Sequence, residues 1–164
     1  MNRHRWPLMA CAAGLIAAAA LNAAAVQTAD SFPNKKPEGE PDRVKVRHIL
    51  IGFKGSALTD PAITRSKAEA EKLAGEVLDR ARKGEDFSAL VRTYSDDHLR
   101  SLYKMANFGV EAITTPASQR ETPRSKMVRN FGDVSFKLKV GEAGLAVYDP
   151  VHSKYGWHII LRME

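Results

Sequence analysis

The chain has 164 residues, 44% of them hydrophobic, enough for one compact core and too few for two domains of ordinary size. Its 25 Lys and Arg against 19 Asp and Glu give a net charge of +6, a basic surface that attracts anionic partners without choosing among them. A single cysteine excludes a disulfide scaffold and a four-ligand cysteine zinc site.

Arg3, His4 and Arg5 open the chain, an apolar Ala/Leu-rich run follows from Leu8 to Leu21, and Ala23–Ala25 supply small residues for cleavage. This pattern predicts a signal peptide over residues 1–25 and a periplasmic or secreted product. The alternative is an uncleaved membrane anchor, because Pro7 to Val26 just reaches spanning length although alanine contributes little to insertion. Cleavage would remove two arginines and the sole cysteine, Cys11, which suits an oxidising compartment and weakens any case for nucleic-acid binding. Pro33, Pro37, Gly39 and Pro41 then predict a flexible tether over residues 26–42, with the domain itself over 43–164.

Val44, Val46, Ile49 to Ile51 and Phe53 predict a strand containing His48, followed by a loop with Gly55 and Pro61. Ser66 and Glu69 form a capping box, after which Ala70, Leu73, Ala74, Val77, Leu78 and Ala81 make one apolar helical stripe that stops at Gly84. Asp86 caps a shorter helix with Phe87, Leu90, Val91 and Tyr94 on one face, ending at Ser95-Asp96-Asp97-His98. Residues 109–124 read as an exposed insertion. Met127, Val128, Phe131 and Val134 recur at helical spacing, and Tyr155 to Arg162 reads as a buried strand.

His48 and His158 lie in apolar strands at opposite ends of the domain, where a buried imidazole must find hydrogen-bond partners. Either alone fits an ordinary core histidine. With Asp97 and Ser153 they comprise the residue types of a small polar cluster, and spacing alone leaves open whether they meet. A zinc site on the two imidazoles lacks a recognisable third ligand, and no metal, nucleotide or other cofactor motif is present.

Val46-Arg47-His48-Ile49-Leu50, the helix from Ser66, Gly84-Glu85-Asp86-Phe87, Tyr94-Ser95-Asp96-Asp97, Met127 to Phe131, Gly141-Glu142 and Gly156-Trp157-His158-Ile159-Ile160 follow one another as in the parvulins. The chain resembles a parvulin-type peptidyl-prolyl cis/trans isomerase of the bacterial exported, PpiC or rotamase kind, over residues 44–164. The resemblance implies an α+β, FKBP-like fold: a four-stranded antiparallel sheet wrapped by helices, first and last strands adjacent at its centre. It implies that His48, Asp97, Ser153 and His158 are catalytic, and that Phe108, Met127 and Phe131 form a proline socket. It implies a monomeric foldase without metal or cofactor that eases X-Pro rotation in unfolded or partly folded exported proteins, attached to the membrane only if the N-terminus is retained. The alternative is a parvulin-like peptide-binding chaperone module with weak or no catalysis. Ala106-Asn107-Phe108-Gly109 stands where the family usually has a Gly-Asp-Leu-Gly-like turn, and predicts a rebuilt loop.

Overall fold

Alternation along β1 (Arg43–Ile51) decides the architecture. Val44, Val46, His48 and Leu50 point to one face and Ile49 and Ile51 to the other, so the strand needs cover on both sides. A computed structural model describes residues 32–58, 60–98 and 101–164 and shows how that cover is supplied. The expected signal peptide and the first part of the tether lie outside the described residues.

β1 pairs antiparallel with β2 (Leu102–Ala106) on one side and with β5 (Trp157–Arg162) on the other. β4 (Ala143–Ala146) extends the sheet antiparallel beyond β5, and β3 (Thr122–Pro123) lies parallel beyond β2. The order is β3-β2-β1-β5-β4, with the first and last strands adjacent at the centre. The four-stranded antiparallel sheet expected from sequence is thus corrected to a five-stranded mixed one. Its extra strand is a two-residue piece of the segment read as an exposed insertion, too short and too proline-rich to register as a strand in sequence.

Two helices close one face. α1 (Lys67–Arg82) starts with the capping box: the Glu69 N–H donates to Ser66 Oγ at 3.3 Å and the Ser66 N–H to Glu69 Oε2 at 2.7 Å. α2 (Phe87–Tyr94) is capped by Asp86, whose Oδ1 accepts from the Ser88 N–H at 3.0 Å. Ala70, Ala74, Val77, Phe87 and Leu90 from these helices pack on Ile49, Ile51, Trp157 and Ile159 as one dry core. The other face has a single short helix, α3 (Arg129–Lys137), whose Phe131 and Phe136 meet Val44, Val46, Met105 and Ile160. Met127 and Val128, expected inside that helix, precede it. A 3₁₀ turn at Arg124–Lys126 leads into extended backbone at Met127, which turns this side chain sideways toward the uncovered part of the sheet.

Gly156, just ahead of β5, has a φ of +147°. A Cβ there would sit 2.2 Å from the Ile51 carbonyl oxygen, so only glycine lets β5 start this close to β1. Ahead of β1, the described part of the stretch expected as a tether lies against the domain. Phe32 packs on Phe108 with ring centroids 5.5 Å apart, and the Asn107 N–H donates to the Asp42 carbonyl at 2.9 Å. The compact unit runs from Phe32 to Glu164.

Candidate active site

Register brings the two histidines together. His48 is paired with Ile160 and His158 with Leu50, so both imidazoles stand diagonally on one face of adjacent central strands. Their Nδ1 atoms lie 3.2 Å apart, and His48 Nε2 lies 3.3 Å from Asp97 Oδ2. Burial pushes the His158 imidazole down to about 3; the neighbouring His48 acts in the same direction and Asp97 opposes it. His158 is therefore neutral at any ordinary pH. The two Nδ1 atoms share one hydrogen bond, and His48 Nε2 faces the Asp97 carboxylate, so a proton on His48 Nε2 points at Asp97. His158 Nε2 is buried with no hydrogen-bond partner among the described residues.

Asp97 is held from behind. The Ser95 hydroxyl accepts from the N–H groups of Leu50 at 3.2 Å and Asp97 at 3.3 Å. Asp96 Oδ2 accepts from the Gly52 N–H at 2.7 Å and pairs with Arg65 Nη1, while Asp96 Oδ1 accepts from Arg65 Nη2 at 3.2 Å. The Arg65 fork also donates to the Gly52 carbonyl at 3.1 Å, which ties the loop after β1 to the turn after α2. Asp97 is the next residue along, so this clamp sets the backbone from which its carboxylate reaches His48.

The gap beside α3 is a cleft of about 420 Å³. His48, His158 and Asp97 form its polar line, and Met127, Phe131 and Tyr103 its apolar wall. Phe131 stands edge-on to both imidazoles, with centroids 5.3 Å away in each case, and Tyr103 is edge-on to His48 at 5.4 Å. Two expected site residues are placed elsewhere. Ser153 is fully buried and donates its hydroxyl to the Gly156 carbonyl at 3.2 Å, so it holds the turn that delivers His158 and touches neither imidazole nitrogen. Phe108 is absent from the cleft lining; its ring lies under the Arg124 guanidinium, 4.5 Å from centroid to Cζ. Tyr103 and Thr122 are among the residues that line the cleft in their stead.

A family model described as the PPIC-type PPIase domain matches residues 33–163. The chain belongs to that family. Over 127 residues it is 36% identical to the chaperone SurA of Chromohalobacter salexigens, covering 75% of this chain and 24% of that protein. It is 41% identical over 129 residues to the foldase protein PrsA of Geobacillus kaustophilus, covering 79% of this chain and 32% of the relative. The chain thus spans about a quarter to a third of the length of these curated relatives. The fold is similar to that of the peptidyl-prolyl isomerase ESS1 from Candida albicans, with a TM-score of 0.54, 21% identity and coverage of 75% of this chain and 63% of that one.

Within this PPIC-type domain, the sequence pointed to the histidines, Asp97, Met127 and Phe131, and the structure gathers those five around one cleft. Tyr103, Thr122, Arg65 and Asp96 were not singled out as parts of it. Tyr103 left a faint signal, since it stands two residues from Met105, the spacing of one strand face, and the two pair with Val46 and Val44. Arg65 and Asp96 had none, because a clamp between two loops leaves no periodicity.

Proposed function

We propose that this domain is a peptidyl-prolyl cis/trans isomerase that acts as a foldase on exported polypeptides, released from a signal peptide at residues 1–25. The observation that carries the reading is the Asp97 carboxylate, fixed by His48 at the edge of a socket walled by Met127 and Phe131. Rotation about an X-Pro bond faces a barrier of about 20 kcal/mol because amide resonance is lost at the twisted geometry. The planar amide carries negative charge on its carbonyl oxygen, and twisting returns electron density to nitrogen. A carboxylate held beside that carbonyl disfavours the planar form more than the twisted one, which lowers the barrier without a covalent step. The apolar wall holds the pyrrolidine ring so that the rest of the peptide swivels about it.

Unphosphorylated X-Pro sequences suit the cleft. In the loop after β1 the candidate phosphate ligands are Lys54 and Arg65, and the Arg65 fork is committed to Asp96 and Gly52. Asp97→Ala is expected to slow isomerisation of a short proline peptide by about 10–100-fold, with the peptide still bound. A variant as fast as the wild type would remove Asp97 from the mechanism. A second reading, a peptide-binding chaperone module with little catalysis, draws support from Phe108 being turned away from the cleft toward Arg124. It requires that the wild-type chain bind proline peptides without accelerating their isomerisation, so measuring affinity and rate on the same peptide separates the two.

A further inference from the structure

Among the described residues Arg124 is the most deeply buried charge outside the cleft, with its side chain 3% exposed. Its Nη1 pairs with Glu40 Oε2 and donates to Asn107 Oδ1 at 2.9 Å, and its Nη2 donates to Asp133 Oδ1 at 2.8 Å. The guanidinium carbon lies 4.5 Å from the Phe108 ring centroid and 4.8 Å from that of Phe136. Gly132 of α3 makes room for it: a Cβ there would lie 3.1 Å from Arg124 Cγ. One planar cation thus joins the loop before Gly109, the helix carrying Phe131, and the segment ahead of β1.

The position of this cation along the chain matters for the cleft. Thr122, Lys126, Met127 and Val128, on either side of Arg124, all line it, and the Met127 N–H donates to the Arg124 carbonyl at 3.0 Å. Arg124 is therefore the anchor of the wall against which a proline ring would rest. Its best-buried counter-charge is Glu40, 9% exposed against 39% for Asp133. Asn107 Nδ2 locks Glu40 in place, donating to Glu40 Oε2 at 3.1 Å and to the Pro41 carbonyl at 2.9 Å. A buried guanidinium that loses such a partner seeks another, and the wall must move with it.

We propose that Glu40 is a positioning residue of the cleft, acting through Arg124, so that the segment from Phe32 to Asp42 is a working part of the domain. The kinetic side of this proposal rests on the isomerase reading; the placement of the wall does not. The test uses the full chain and Glu40→Gln, which keeps shape and hydrogen bonding but removes the charge, with Arg124→Lys as a second variant that keeps charge but loses the fork. For a proline peptide, KM is expected to rise about five- to tenfold in both, with kcat within about twofold. The Met127 methyl resonance, assigned with Met127→Leu, is expected to shift in both. Lys72→Ala breaks a surface pair with Glu76 on α1 and is expected to change neither readout. If Glu40→Gln lowers only the melting temperature, leaving KM and the Met127 resonance at wild-type values, Glu40 is a structural residue and the proposal fails. If the wild-type chain shows no isomerisation, the isomerase reading fails by itself. The Met127 resonance and the peptide Kd then decide the role of Glu40.

Discussion

The two faces of the central sheet are built from the same strands and differ in what covers them. On one side α1 and α2 lie over Ile49, Ile51, Trp157 and Ile159, and the core is closed. On the other, the single short α3 covers Val44, Val46 and Ile160, reaches His48 and His158 through Phe131, and leaves a cleft beside them. Period-two alternation therefore sorts each strand into a half that packs in the closed core and a half that faces the cleft. The closed face contributes stability, and the open face leaves apolar surface lining a hollow.

This contrast can be broken at the contact both faces share. Gly156→Ala places a methyl 2.2 Å from the Ile51 carbonyl oxygen at a positive φ, forcing β5 off β1, and is expected to cost at least about 4 kcal/mol in urea unfolding. Next in size is Leu90→Ala on the closed face, expected to cost about 2–5 kcal/mol while peptide affinity per folded molecule stays unchanged. Met127→Ala on the open face should show the reverse, little loss of stability and a raised KM.

The buried imidazole sharpens the contrast through pH. His158 has a pKa near 3 when folded against 6.5 for the free side chain, so below pH 6.5 the unfolded chain takes up a proton that the folded chain refuses. Its contribution is complete above pH 6.5 and is lost as pH falls toward about 3. Between pH 7 and pH 5 the loss should be on the order of 1–2 kcal/mol, and unfolding of His158→Leu should lack that component. The smallest expected effect is at the rim. Lys126 lines the cleft, is exposed, and has no ion-pair partner among the described residues. Lys126→Glu should change the turnover ratio of Glu-Pro to Lys-Pro peptides by a few-fold at low salt, and by less in 1 M salt.

Much of the site was legible before folding. His48 and His158 stood out as polar groups in apolar strands, and Asp97 followed a helix whose cap could be read from Asp86. The apolar wall was half legible: Met127 and Phe131 were singled out and both line the cleft, but their spacing suggested one continuous helix, and the extended backbone at Met127 depends on the turn built around Arg124. Phe108 could be assigned only by position. Its burial beneath Arg124 depends on Asn107, Glu40 and Phe136, which lie far apart along the chain.

By itself the sequence determined what neighbours within a few residues decide: the capping box at Ser66, the apolar stripe of α1, the alternation of β1 and β5. These follow from backbone geometry of period 3.6 or 2, and each is complete within its own segment. Tertiary structure alone decided that imidazoles 110 residues apart share a hydrogen bond, that a two-residue strand extends the sheet, and that Glu40 meets Arg124. Strand register and charge burial are properties of pairs of segments, and such pairs exist only once the chain has closed on itself.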